Sequence, residues 1–337
     1  SDKLEKSENT TPDATVLQRS LAEYKRQGAD SVVMEVSSHG IVQGRINGTT
    51  FSVAVLTNLS RDHLDYHQDM DAYAAAKARL FFWPELKYAV INMDDVLGVE
   101  LSRQLANKTT KIMGYGFRYP EAGCYSPHFK MLYGSNLKAD IEGIEFDIDY
   151  EDYHEHLRIG LLGKFNASNL LAVIAILIAS GIKLSDAVRA LQHVQPIPGR
   201  MEKYGGINQP IIIVDYAHTP DALEKVLCTL REILRATHQS KEKVAHNARL
   251  HCVVGCGGDR DKGKRAMVGA VATRLADAVI FTSDNPRSEE PMNIIKDIVE
   301  GVEAENYQIE IDRALAIYQA IDNADSGDIV LIAGKGH

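Results

Sequence analysis

Cysteine occurs only four times in 337 residues, at positions 124, 228, 252 and 256. That is too sparse for a disulfide framework, and no Cys-x-x-Cys pair is present to suggest a zinc or redox site. Free thiols in a reducing cytoplasm are therefore expected. Tryptophan occurs once and phenylalanine eight times, so the core must be built mainly from aliphatic side chains. Basic residues are outnumbered 37 to 46, leaving a net charge of -9. This argues against general binding to nucleic acid or to an anionic membrane. An anionic ligand would have to be held by local basic loops. No apolar run is long enough to span a bilayer, and no signal peptide is expected.

What is present is an alternation of short apolar runs with amphipathic segments, across a length suited to two domains. In the first half the pattern predicts a helix over 13–27, strands over 31–36 and 51–56, a helix over 71–82 and a strand over 88–92. Residues 110–160 alternate more loosely, with β-like stretches at 143–150 and 156–162, and predict an antiparallel patch on a mostly parallel sheet. Helices are predicted over 166–180 and 184–193. Pro196-Ile-Pro-Gly199 breaks the pattern, which places a boundary between domains 1–199 and 200–337. Beyond it, strands near 211–214, 250–254, 278–282, 309 and 329–333 alternate with helices at 220–234, 264–275, 292–302 and 314–320. This is the signature of a doubly wound α/β domain. Residues 237–247, rich in Lys, Gln and His, are expected to form a solvated loop.

Several polar motifs follow apolar runs, where open α/β sheets bind ligands. Glu35 ends the run at 31–36 and precedes Ser37-Ser-His-Gly40. It reads either as a metal-holding carboxylate or as a surface charge at a strand end. Residues 57–67, Thr-Asn-Leu-Ser-Arg-Asp-His-Leu-Asp-Tyr-His, crowd Asp62, His63, Asp65 and His67 at the next strand end. They are metal ligands or hydrogen-bonded loop histidines. Lys77 lies among alanines. It is a solvated helix lysine or, if partly buried and deprotonated, a site for a carbamate that could ligate metal.

The second half carries its own candidates. Asp215-Tyr-Ala-His-Thr-Pro-Asp221 opens a helix, with Thr219 as its cap and Pro220 at its first position. Cys252 to Arg265 is a glycine-rich turn. Gly258-x-x-x-x-Gly263-Lys264 matches most of a phosphate-loop spacing, but Arg265 stands where Ser or Thr should bind magnesium. Its basic residues Arg260, Lys262, Lys264 and Arg265 are expected to form an anion site instead. Asp284-Asn285-Pro286-Arg287 leaves a strand as a polar loop stiffened by proline, and Arg287 offers a planar fork to a carboxylate or phosphate. Both ends of the chain look cut. The start is polar and lacks a methionine, and Gly334-Lys-Gly-His337 directly follows an apolar run. A piece of a larger protein is expected.

Taken together, these motifs resemble the Mur ligase family. The matching pieces are Asn9-Thr-Thr11, Glu35 to Gly40, residues 57–67, Ala75-Ala-Lys77, Gly163-Lys-Phe-Asn-Ala-Ser-Asn169, Pro198 to Glu202, Asp215 to Asp221, Gly255 to Arg265, Asp284 to Arg287 and Gly334 to His337. They resemble most closely the members that add meso-diaminopimelate to UDP-N-acetylmuramoyl-L-alanyl-D-glutamate, consuming ATP with Mg2+. The resemblance implies a central ATPase-type domain followed by a Rossmann-like domain. The family's own phosphate loop and UDP-binding domain have no counterpart in this sequence, and neither does the Glu that normally follows Gly-Lys-Gly-His. The chain alone is therefore expected not to turn over ATP.

By that resemblance, Glu35, His63 and a carbamylated Lys77 would serve catalysis and hold metal. Asn9, Thr10, Thr11, Ser37, Gln43 and Arg45 would grip the nucleotide dipeptide. Asn166, Arg200, Asp215 and His218 would face ATP. Arg260, Asp284, Asn285, Pro286, Arg287 and Gly334 would form the diaminopimelate pocket. The implied chemistry is activation of a carboxylate as an acyl phosphate, followed by attack of the amine. A cytoplasmic monomer is expected. The alternatives are a folylpolyglutamate-synthase-like ligase and a non-catalytic substrate-binding fragment.

Overall fold

The computed structural model describes residues 9–60, 64–119, 127–240, 248–259 and 261–334. Contacts divide the chain into two units. One comprises Ser1–Asn136, Asp147–His156 and Ser168–Ala190; the other comprises Leu137–Phe146, Leu157–Ala167 and Leu191–His337.

The first unit opens with α1 (Ala14–Arg26), capped by Asp13, whose carboxylate accepts the Thr15 and Val16 N–H groups at 3.1 and 3.0 Å. The short α2 (Ser38–Val42), β1 (Val53–Leu56) and α3 (Leu64–His67) follow. Next come α4 (Met70–Ala78), continued by a tight turn over Arg79–Phe82, β2 (Tyr88–Asn92), α5 (Val96–Leu105) and β3 (Lys111–Gly116). The long strands β4 (Phe129–Asp140), β5 (Gly143–Tyr150) and β6 (Tyr153–Ile159) and the helix α6 (Lys164–Ala179), whose residues are divided between the two units, precede α7 (Leu184–Leu191). The sheet runs in simple order β1 to β6. Its first four strands are parallel.

The expected antiparallel patch is present at the far side. Asn136 bonds Asp147, and Lys138 bonds Glu145, so the partner number falls as the other rises. Asp147 with His156 and Asp149 with His154 repeat the pattern between β5 and β6. Two-residue links between neighbouring strands permit only antiparallel pairing.

Two readings of this half need correction. Residues 31–36 form no strand. They have no neighbour in the sheet, and Val33 is 88% exposed. An apolar run is a strand only where another backbone completes its ladder. The periodicity also missed α5. Val96, Gly98 and Val99 are poor helix formers, yet Asp95 caps the helix, and Gly98 lets it press against the Asn92 carbonyl.

The second unit comprises β7 (Glu202–Gly205), β8 (Ile211–Asp215), α8 (Pro220–Ser240), β9 (Leu250–Val254), α9 (Gly263–Leu275), β10 (Ala278–Phe281), α10 (Pro291–Val299), β11 (Tyr307–Ile309), α11 (Arg313–Asp322) and β12 (Ile329–Ala333). Helix α8 continues to Ser240, so residues 237–240 are helical rather than part of the expected loop. The strand order is β11-β10-β9-β12-β8-β7. All neighbours are parallel except β7, an antiparallel edge that the sequence pattern did not reveal.

The inner strands are buried on both faces. Cys252 and Val254 belong to one apolar cluster, with residues of α8, α9 and α10, while Val253 belongs to a second with Ala316 and Ala320 of α11. Successive side chains thus enter opposite layers, the mark of a doubly wound sheet. The register sets the site. Ala333 lies opposite Asp215, Ile332 opposite Val253, and Phe281 opposite Val254. The loops after β8, β9, β10 and β12 therefore emerge along one edge.

Candidate functional site

In the first unit the chemistry gathers around α2. The Ser37 hydroxyl accepts the Gly40 N–H at 3.0 Å and caps this helix. Thr11 is 0% exposed. Its Oγ1 accepts the Ser37 N–H at 2.9 Å and lies 3.1 Å from the Glu35 carbonyl. Arg45 donates through Nη1 to the Thr11 carbonyl and through Nε to Gln43 Oε1, both at 2.9 Å. Gln43 Nε2 reaches the Tyr66 hydroxyl at 3.4 Å. Thr11, Ser37, Gln43 and Arg45, scattered in sequence, are thus one hydrogen-bonded group. Asn9 and Thr10 are exposed beside it, and the Glu35 side chain is also exposed.

A ring cluster joins this group to Lys77. His39 lies 4.1 Å from Tyr66, and His67 stacks on Tyr73 at 5.2 Å. The Lys77 ammonium sits 5.1 Å from the Tyr73 centroid. The lysine is half-buried. His67, at the end of α3, is buried and bonded to the Ser38 hydroxyl at 2.8 Å. The start of the 57–67 loop is pinned by Asn92, which bonds the Thr57 carbonyl at 2.6 Å, and by Asp95, which accepts the Leu59 N–H at 2.9 Å. Asp62 and His63 lie outside the described residues. Among the described residues, no three His, Cys, Asp or Glu side chains are grouped to hold a metal.

In the second unit, Asp215 is 7% exposed. Its two oxygens accept the Met201 and Ala217 N–H groups at 2.9 and 2.8 Å. Its carbonyl accepts the Gly334 N–H at 3.0 Å. Asp215 therefore fastens three segments, while the exposed faces beside it belong to Arg200 and His218. Both pack on the Tyr216 ring, at 5.2 and 5.0 Å. Thr219 caps α8 through the Ala222 N–H, as expected. Asn166 sits in the first turn of α6, where it bonds the Leu162 carbonyl at 2.8 Å.

The Asp284 to Arg287 loop is laced to the glycine-rich turn after β9. The Gly258 N–H donates to the Asn285 carbonyl at 2.9 Å, and Arg287 Nη1 donates back to the Gly258 carbonyl at 2.6 Å. Any side chain at Gly258 would run into the Pro286 carbonyl oxygen. Ser288 donates to both Asp259 oxygens, at 2.7 and 2.9 Å, and this holds the Asp259 carboxyl below its usual range. Arg287 has φ +51°, a left-handed conformation that costs a non-glycine residue about 1–3 kcal/mol and concentrates at functional sites. Gly334, with φ +86°, lies close by: its missing side chain would start 3.9 Å from Asp284 Oδ2.

Arg265 was expected to line an anion site, and the structure overturns this. Its side chain is 1% exposed. It bonds Glu289 at 2.7 and 2.9 Å and Asp297 at 2.8 Å. Lys262 lies 3.7 Å from Glu289, and Lys264 lies 4.0 Å from Asp261. Their charge is thus shared with neighbouring acids. Glycine at 258 serves the contact between two loops. Glu289 and Asp297 were missed because nothing in sequence spacing links them to Arg265. Arg260 and residues 335–337 lie outside the described residues. Cys252 and Cys256 are free, and burial pushes their thiols up to about 12 and about 11.

This arrangement matches known proteins along nearly its whole length. The profile of the Mur ligase middle domain matches residues 1–177, and that of the Mur ligase, glutamate ligase domain matches residues 199–336. The chain belongs to the Mur ligase family. A UDP-N-acetylmuramoyl-L-alanyl-D-glutamate--2,6-diaminopimelate ligase of Nitrosomonas europaea is 58% identical over 98% of this Mur ligase chain and 64% of its own length. The Chromobacterium violaceum protein of the same name is 48% identical over 99% and 64%. A solved structure bearing that name superposes with a TM-score of 0.65 at 39% identity, over 96% of this chain and 63% of its own. The chain thus spans a little under two thirds of these relatives. A folylpolyglutamate synthase from Thermotoga maritima shares the fold at 16% identity, with a TM-score of 0.65.

Two tests address the laced loops. Gly258→Ala should destabilise the protein by about 2–3 kcal/mol, because overpacking here meets backbone rather than a movable side chain; urea unfolding measures it. Glu289 ionises at about 2 instead of 4.5 because Arg265 bonds its charged form. A depressed carboxyl stabilises the fold above its ordinary value, and that contribution disappears as pH falls from 4.5 toward about 2. Glu289→Gln should be less stable than the parent at pH 7 and should flatten the stability profile across that window, as seen by urea unfolding at a series of pH values.

Proposed function

We propose that this chain carries the catalytic and amino-acid-binding parts of an ATP-dependent ligase. The enzyme would join meso-diaminopimelate to the D-glutamyl carboxylate of UDP-N-acetylmuramoyl-L-alanyl-D-glutamate, in peptidoglycan precursor synthesis. The observation that carries this reading is the Asp284 to Arg287 loop, held rigidly at a sheet edge with Arg287 in a strained backbone conformation. The names of the relatives support the choice of substrates.

A carboxylate is a poor electrophile. Phosphorylation by ATP turns it into an acyl phosphate, which the incoming amine attacks with loss of phosphate. Thr11, Ser37, Gln43 and Arg45 would place the nucleotide dipeptide, because their shared hydrogen bonds already fix one another. Arg200 and His218 would meet ATP from the Tyr216 surface, with Asp215 holding their turn in place and Asn166 contributing from α6. Glu35 and a carbamylated Lys77 would offer the oxygen donors that Mg2+ favours, with His63 beside them, and the ion would neutralise charge on the transferred phosphoryl group.

Selectivity follows from charge. Diaminopimelate has a second carboxylate at its far end, and lysine does not. Arg287 would pair with it, while Asp284 and Asn285 receive the amino group near Gly334, with Arg260 as a further cation. Lysine would leave the guanidinium unpaired. The Asp284 to Arg287 loop disfavours the folylpolyglutamate-synthase-like alternative. The free thiols suit the reducing cytoplasm.

In the intact protein, Arg287→Ala should raise KM for diaminopimelate about ten- to a hundredfold, the loss of a hydrogen-bonded charge pair. KM for ATP should stay within about twofold on the same reasoning. Equal changes in both would overturn the assignment. Lys77→Ala should remove most activity, and short carboxylic acids should restore part of it by supplying the missing carboxylate. Mass spectrometry of the intact, liganded protein should find the mass of one added carbon dioxide, which Lys77→Ala lacks.

A further inference from the structure

Arg313 occupies an unusual place. It is the first residue of α11, directly after the cap Asp312. A cation is disfavoured there, because the helix dipole presents positive charge at its N-terminus. Its guanidinium turns inward to the sheet edge. Nη2 donates to the Ala333 carbonyl at 2.7 Å, at the end of β12 and one residue before Gly334. Nη1 is buried and has no acceptor among the described residues. Burial lowers the guanidinium pKa, and the nearby Asp284 charge acts in the opposite sense.

The approach to α11 is tied to the same loop. The Ile311 carbonyl accepts the Ser283 N–H and the Thr282 hydroxyl, each at 3.3 Å. Arg313 therefore lies where the end of β12 and the Asp284 loop come together, and Asp284 Oδ2 closes the same corner against Gly334. A cation at the wrong end of a helix, with a buried donor left unpaired, is poorly explained by stability.

We propose that Arg313 is a positioning residue of the amino-acid pocket, holding the Ala333–Gly334 turn by its hydrogen bond and the Asp284 carboxylate by its charge, so that the two grip the amino group of the incoming substrate. This rests on the reading of the Asp284 loop as the diaminopimelate pocket. Arg313 touches no reacting atom; it acts through Asp284 and Gly334. A methionine of similar length would keep the packing and lose both the charge and the donor. A lysine would keep the charge.

The test is steady-state kinetics of the intact protein with diaminopimelate and ATP varied in turn. Arg313→Met should raise KM for diaminopimelate about tenfold or more, the loss of one charge-assisted interaction. KM for ATP should remain unchanged, and Arg313→Lys should recover part of the loss. Thermal unfolding of both variants establishes that they are folded; if Arg313→Met does not fold, the same KM split is read from Arg313→Lys at a smaller amplitude. An unchanged KM for diaminopimelate, or an equal rise for ATP, overturns the proposal. Arg287→Ala run alongside separates the two readings. If it weakens diaminopimelate and Arg313→Met does not, the pocket stands and Arg313 is excluded; if neither does, the pocket reading itself fails.

Discussion

The second unit depends on one buried ion group. Arg265 lies at the start of α9, Glu289 follows the Asp284 loop, and Asp297 sits on α10. An arginine buried to this extent needs several acceptors, and a single carboxylate cannot supply them; its two terminal nitrogens are met, while Nε has no acceptor among the described residues. Two acids and the Gly257 carbonyl surround it. The loops after β9 and β10 are consequently held at a fixed separation. The bonds from Gly258 to Asn285 and from Ser288 to Asp259 join the same two loops.

This arrangement separates two roles that basic residues can play. Cations near a glycine-rich turn suggest an anion site, yet Arg265 is neutralised within the fold. Arg287, by contrast, is exposed and makes its bond to the Gly258 backbone carbonyl, which carries no formal charge. The two arginines are neighbours of the same residue type, distinguished by what surrounds them.

Much of the architecture was legible because burial on both faces leaves a continuous apolar run. Residues 250–254 and 329–333 were read correctly as strands of a doubly wound sheet for that reason. Residues 31–36 show the limit of the signal: the run is as apolar as a strand, but no neighbouring backbone pairs with it. Helix α5 shows the reverse, since Asp95 and close packing through Gly98 override weak local propensity. Thr11, Ser37, Gln43 and Arg45, scattered in sequence, form one hydrogen-bonded group. The contributions of Arg265, Glu289, Asp297 and Arg313 were invisible, because each is defined by partners far away in sequence.

The sequence by itself determined the alternation of strands and helices and the residue types available at each strand end, since both follow from local pattern and composition. It also carried enough ordered motifs to indicate the family. Only the tertiary structure decided which charges face inward and which stay exposed. Hydrogen-bond partners and burial depend on loops brought level by strand register, and register joins residues that no local spacing connects.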